Sequence, residues 1–319
     1  MSKKLKVFEA FSGIGSQSIA LRNLNIPYEV VAISEIDKYA IQAYEAIHGK
    51  VNNLGDISKI KVEDIPQHDL FTYSFPCQNI STAGKRDGLS KGSNTKSSLL
   101  WECEKIIEFC KPKYLLMENV KNLLSKKFKN DFDKWINWLN IQGYNSYYEV
   151  LDAKNFGIPQ HRERVFVISI RKDIDNGFKF NIPNKQGDLK DFVDDINENV
   201  DSKIMKSCIE VFKEEYENII KSDKDIYQCK ATSGFQDKKV GITVSPTLRA
   251  NKTHTCVLIN NHIKRLNAKD MWLLSGFDIS DYEKVKDVIS EAQLMKQAGN
   301  TIVVQVLEEI FKELLLNNK

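Results

Sequence analysis

Two residues able to do covalent and proton chemistry stand just past short apolar runs. Cys77 lies in Ser74-Phe75-Pro76-Cys77-Gln78 and Glu118 in Met117-Glu118-Asn119-Val120. A lone cysteine is usually a small buried hydrophobe. At the carboxyl edge of a parallel sheet, behind a proline and near a helix start, it is instead where a thiolate can be exposed and stabilised. Glu118 ends the next run and points at the same edge, so the pair suggests covalent catalysis with protonation. The polar loop from Asn79 to Ser98 carries Gly84, Lys85, Arg86, Gly88, Lys91 and Gly92. It reads either as a basic lid able to close over a polyanion or as a surface loop. Arg162 and Arg164, in Gln160-His161-Arg162-Glu163-Arg164, fall two apart and share one face of a strand, which an exposed, salt-bridged strand would also explain.

A second set of residues suits a nucleoside. Phe11-Ser12-Gly13-Ile14-Gly15 follows the first apolar run, and its glycines would let backbone approach a ligand or merely make a tight turn. Ser18 stands where a dinucleotide fingerprint needs its third glycine, which disfavours a pyrophosphate and a nicotinamide dehydrogenase. Glu35, about 20 residues further on at the tip of the second run, is placed to accept hydrogen bonds from ribose hydroxyls. Asp56 could reach an adenine amine or simply cap a helix, with equal weight. One ribose and no diphosphate points towards S-adenosylmethionine.

These residues need a scaffold that brings strand ends together. Apolar runs at Leu5 to Ala10, Tyr28 to Ser34, Leu70 to Ser74, Tyr114 to Glu118, Tyr147 to Asp152 and Val165 to Ile170 read as strands. They alternate with helical patterns at Gln17 to Asn25, Lys38 to His48, Leu99 to Cys110 and Phe128 to Gln142, so the fold class is α/β, doubly wound. From about Lys172 periodicity fades into an Asp-, Asn- and Lys-rich stretch, a second, irregular domain. Helical pattern returns after His262, with Ala268 to Leu274 and a long amphipathic helix over Thr301 to Leu316 that would rejoin the first domain. The expected boundaries are 1–171 with 264–319, and 172–263.

Composition sets outer limits. The 319 residues are 42% hydrophobic and 28% charged, an ordinary globular balance that excludes disordered and fibrous classes. A net charge of +3 is too mild to announce a nucleic-acid binder by itself. Six scattered cysteines without a Cys-x-x-Cys or paired histidines argue against disulfides and metal. No run nears the ~20 apolar residues that span a bilayer, and Glu9 interrupts any signal-like start, so a cytoplasmic protein without membrane partners is expected.

Taken in order, the motifs resemble those of the DNA (cytosine-5) methyltransferases. Phe11 to Gly15, Glu35, Pro76-Cys77-Gln78, Glu118-Asn119-Val120, Gln160-x-Arg162-x-Arg164, a variable stretch of about Lys172 to Ile263, and Gly299-Asn300 follow the family's sequence of motifs over nearly the whole chain. The resemblance implies a Rossmann-like methyltransferase domain with a target-recognition domain inserted over 172–263. It implies S-adenosylmethionine held by Phe11, Gly13, Ile14, Gly15, Glu35, Ile36, Asp56, Ile57, Pro76, Leu99, Asn300 and Ile302. Cys77 would add to carbon 6 of a cytosine flipped out of duplex DNA, Glu118 would protonate or hydrogen-bond N3, Arg164 would bind O2 and Arg162 would support the site. Gln78, Ser81, Lys85, Arg86, Thr247 and Leu248 would meet DNA.

Departures are Lys96 where many members carry arginine, Asn267 in place of threonine, and Ser16 in place of a further glycine. None removes a catalytic group. The implied partner is double-stranded DNA, met by a monomer, with a cognate restriction endonuclease acting separately where the enzyme serves restriction–modification. The competing readings are an RNA (tRNA) cytosine-5 methyltransferase and a catalytically silent DNA-binding relative.

Overall fold

The strands Leu70–Tyr73 and Tyr114–Val120 are buried along nearly their whole length, as strands covered on both faces must be. In the computed structural model, which describes residues 4–81, 88–194, 215–228, 239–250 and 255–317, the order is β1 (Leu5–Ala10), α1 (Ser16–Asn23), β2 (Tyr28–Ser34), α2 (Lys38–His48), β3 (Leu70–Tyr73), α3 (Glu102–Cys110), β4 (Tyr114–Val120), α4 (Lys129–Ile141), β5 (Tyr144–Asp152) and β6 (Glu163–Arg171). These strands form one six-stranded sheet in the order β2-β1-β3-β4-β6-β5. Strands β2, β1, β3 and β4 are parallel neighbours, with Ala10 beside Ser34 and Tyr73, and Tyr73 beside Met117. Their carboxyl ends therefore open at one edge, where a doubly wound sheet binds its ligands.

The last pair departs from simple winding. β6 runs antiparallel to β4, pairing Glu118 with Phe166 and Val120 with Arg164. Residues 153–162 contain only a short 3-10 turn at Ala153–Asn155, and a parallel return would have needed a crossover helix. The reversal brings the start of β6 against the end of β4.

Local chemistry explains the helix boundaries. Asp37 caps α2 by accepting from the N–H groups of Tyr39 and Ala40, and Gly49 closes it in a positive-φ conformation. The single helix expected from Leu99 splits into a 3-10 segment, Lys96–Trp101, capped by Thr95, and then α3. α3 stops at Lys111, left-handed ahead of Pro112. The long terminal helix is also shorter than expected: a helix over Val304–Phe311 passes into a π-helical turn over Lys312–Asn317, and a separate helix, Glu291–Asn300, precedes it.

The chain divides into two compact units, 1–151 with 163–182 and 306–319, and 152–162 with 183–305. In this division residues 264–305, expected with the first domain, group with 183–263, and 172–182, expected with the second, group with the first. The helices of 264–305 pack on one another, Trp272 donating its indole N–H to the Leu294 carbonyl at 3.0 Å. The second unit also holds a four-stranded sheet, β10-β9-β8-β7, from β7 (Ile226–Gln228), β8 (Lys239–Gly241), β9 (Cys256–Ile259) and β10 (His262–Arg265). Buried Lys264 there is held between the carboxylates of Asp194 and Asp270.

Candidate active site

The turn after β1 is built from three left-handed residues, Phe11, Gly13 and Gly15. Gly15 has no alternative, since a Cβ there would sit 2.5 Å from Nε2 of His48 and 2.6 Å from Cε2 of Tyr44. Gly13 donates its N–H to Glu35 Oε2 at 2.9 Å, while Glu35 Oε1 accepts from the N–H groups of Ile36 and Asp37, both at 2.8 Å. A carboxylate offers about four acceptor positions, so these three bonds fix its direction and leave acceptor capacity for a ribose hydroxyl. Asn53, absent from the sequence reading, grips the main chain of Glu35 on both sides, accepting from its N–H and donating to its carbonyl, each at 3.1 Å.

Asp56 does cap a 3-10 turn, accepting the N–H and hydroxyl of Ser58 on Oδ1. Those hydrogen bonds hold its carboxyl below the usual range. Ile36 is 73% exposed, whereas Ile14 and Ile57 are each 2% exposed. The last two therefore offer a ligand main chain rather than side chain. Phe11 and Leu99 are half-buried against the main core. The residues present fit an adenosine-type methyl donor in kind: an exposed apolar side chain, an anchored carboxylate and a glycine turn with open space over Gly13. Asn300 and Ile302, at and just beyond the end of helix Glu291–Asn300, belong to the second unit.

Cys77 and Glu118 stand at the ends of adjacent strands β3 and β4. Asn119 is buried and donates from Nδ2 to the Phe75 carbonyl at 2.8 Å. Ser97 is fully buried, donates to the Pro76 carbonyl at 2.6 Å and accepts the Asn79 N–H at 3.2 Å. Asn122 donates to the Ile80 carbonyl. Within this bracket the chain turns tightly, with the N–H groups of Ile80 and Ser81 both on the Cys77 carbonyl. Cys77 remains half-exposed, while Cys103, Cys110 and Cys256 are buried. Burial pushes the Cys103 thiol well up and that of Cys110 to about 11, which leaves both unreactive near neutrality.

Glu118 is 8% exposed, and Arg164 reaches its Oε1 with Nε at 3.2 Å. Arg162 does something else. Its guanidinium is buried in the second unit and donates to the carbonyls of Leu248 at 3.2 Å, Gly299 at 3.1 Å and Thr301 at 2.7 Å. The neighbouring Gln160 side chain donates to the Leu274 carbonyl at 2.7 Å, and Thr247 donates its hydroxyl to the carbonyl of His161 at 2.6 Å. Leu248 is 1% exposed, so its side chain is core. Gln78 is exposed and Ser81 half-buried, while Lys85 and Arg86 lie outside the described residues. Among the described residues no cluster of three or more His, Cys, Asp or Glu could hold a metal, and no helix is long and apolar enough to cross a membrane.

The glycine turn, the anchored acid and the reversed last strand define a Rossmann-like methyltransferase. A solved structure, the Schizosaccharomyces pombe Dnmt2 methyltransferase, shares the fold at a TM-score of 0.74, with 19% identity over 99% of each chain. The model of the C-5 cytosine-specific DNA methylases matches residues 5–316, and the chain belongs to that family. It is 37% identical to the type II methyltransferase M2.ScrFI of Lactococcus lactis subsp. cremoris, across 97% of this chain and 99% of the relative. It is 29% identical to the orphan methyltransferase M.SPBetaI of Bacillus phage SPbeta, across 98% of each. The protein is a DNA (cytosine-5) methyltransferase, of a family that uses S-adenosylmethionine, and its substrate is DNA.

Proposed function

We propose that Cys77 is the nucleophile and Glu118 the proton-handling residue of cytosine C5 methylation in this chain. The observation that carries the reading is the half-exposed thiol in a turn gripped from three sides, one strand away from a nearly buried carboxyl. S-adenosylmethionine, when bound, supplies an electrophilic methyl group; Phe11, Gly13, Gly15, Glu35, Ile36 and Asp56 are the residues suited to hold it. Cys77 adds to carbon 6 of a flipped cytosine, which makes carbon 5 a nucleophile. Glu118 donates a proton or hydrogen bond at N3, and Arg164 orients that carboxyl and lies within reach of the base. Removal of the proton from carbon 5 expels Cys77.

The second unit, which takes in 183–263 of the 172–263 stretch, is read as the target-recognition part. Arg162 serves there by holding the Thr247-Leu248 and Gly299 to Thr301 segments rather than by touching the base. A DNA substrate sets the enzyme to work in the cytoplasm. The type II and orphan names of its relatives favour a protective enzyme, either paired with a separate endonuclease or acting alone in a phage.

Duplex DNA carrying 5-fluorocytosine tests the mechanism, because fluorine cannot leave as a proton does. With S-adenosylmethionine the expected result is a denaturant-resistant protein–DNA adduct that Cys77→Ser abolishes while donor binding persists. An adduct retained by Cys77→Ser would remove that residue from the chemistry. An adduct with RNA and none with DNA would move the substrate to RNA.

A further inference from the structure

The chain on either side of Cys77 is held by a residue given no role above. Ser97 is fully buried on the 3-10 segment Lys96–Trp101. Its hydroxyl donates to the Pro76 carbonyl, which belongs to the same peptide plane as the Cys77 nitrogen. The same oxygen accepts the N–H of Asn79, two residues beyond. One hydroxyl thus spans the nucleophile, fixing the plane before it and the turn after it. The 3-10 segment is itself anchored: Thr95 caps it and donates to the Gly88 carbonyl at 2.9 Å, and the Trp101 indole donates to the Leu89 carbonyl at 2.7 Å.

We propose that Ser97 is a positioning residue for methyl transfer, setting the direction in which Cys77 presents its sulfur to the base. This rests on the reading of Cys77 as nucleophile. Attack on a ring carbon demands approach along a narrow direction, so a turn freed at Pro76 and Asn79 loses rate rather than binding. Without the hydroxyl, a part-buried carbonyl and a part-buried N–H both lose this partner, and the turn is free to move.

The test compares Ser97→Ala, Ser97→Thr and Ser97→Cys with the wild-type chain in single-turnover methyl transfer to unmethylated genomic DNA at saturating donor. Ser97→Ala should slow transfer and 5-fluorocytosine adduct formation about tenfold, with the KM for DNA and the donor Kd within about twofold. Ser97→Thr, which keeps the hydroxyl, should recover most of the rate. Should Ser97→Ala fail to fold, the nearly isosteric Ser97→Cys, a weak hydrogen-bond partner, should melt as the wild type does and be slow. A wild-type rate in a folded Ser97→Ala or Ser97→Cys overturns the proposal, as does parallel loss of rate and donor binding without rescue by threonine. An adduct that persists in Cys77→Ser would instead overturn the underlying reading, so the two failures are distinguishable.

Discussion

The two sheets of this enzyme differ in what surrounds them. The six-stranded sheet faces a continuous core in which Phe8, Phe71, Tyr73, Phe132 and Trp135 are essentially covered. Trp135 stacks on Trp138 with ring centroids 5.2 Å apart and meets Trp101 edge-on at 5.7 Å. Around the four-stranded sheet Ile219, Val240 and Cys256 form a small buried cluster, and Val257 and Ile259 are buried as well. The second unit has an apolar core of its own, with Trp272, Leu274, Val285 and Leu294 buried, and adds to it side chains that reach main-chain carbonyls far along the sequence: Arg162 to Leu248, Gly299 and Thr301, and Gln160 to Leu274. Apolar burial is non-directional and tolerates shape changes only at a cost in volume, whereas a guanidinium fork fixes the places of particular peptide groups. If the second unit presents its loops to DNA as proposed, it gains from the second kind of construction.

The contrast can be broken by mutation. Trp135→Ala should lower stability by about 3–5 kcal/mol, the range for emptying an aromatic site in a packed core, seen as an earlier urea midpoint. A loss under 1 kcal/mol would mean that the first unit does not depend on that core. Arg162→Ala should cost about 3 kcal/mol, because three carbonyls lose a charged donor. Hydrogen exchange should rise at 247–250 and 299–301 and stay unchanged in β1, β3 and β4. Uniform loosening would erase the distinction between the two regions.

Glu9 sharpens the comparison from the other side. It is a carboxyl fully buried in β1, hydrogen-bonded by Ser18 at 2.8 Å and Tyr44 at 3.0 Å, and burial raises its pKa to about 7. The folded protein therefore holds a proton there that the unfolded chain has released above about pH 4.5. That stabilisation is complete below the lower value and is lost as pH rises through the higher one. Glu9→Gln should accordingly match wild-type stability near pH 5 and exceed it by about 1–2 kcal/mol at pH 8, after discounting the imperfect bonds of the amide. Thermal melts across that range decide it, and a difference independent of pH would rule out ionisation as the cause. At Glu9, then, an ionised group is a liability, while at Arg162 it is structural cement.

Much of the first unit was legible in the sequence because its signals are local. The runs Leu5–Ala10 and Tyr28–Ser34 and the helix Lys38–His48 are found with the expected bounds. Cys77 and Glu118 could be assigned to one edge because parallel strands order their ends. The reversal of β6 was not visible, since Val165 to Ile170 is equally apolar in either direction. Nor were the targets of Arg162, because bonds to carbonyls as far as 139 residues away leave no trace in residue type. Ser97 and Asn53 were missed for a related reason: a polar side chain that grips main chain carries no periodicity. Asn119 carried a weak signal, lying next to Glu118 on the opposite face of the strand.

That alternation makes β4 tolerant of changes in composition and intolerant of changes in length. Successive side chains point to opposite faces, so Glu118 meets Arg164 while Asn119 turns to the Phe75 carbonyl. Substituting one apolar residue for another between Tyr114 and Met117 leaves this arrangement in place. Deleting one residue there would exchange the two faces, offering an amide where the carboxyl belongs and a carboxylate to a carbonyl oxygen that repels it. Divergent copies of this strand should therefore accumulate substitutions freely and insertions or deletions hardly at all.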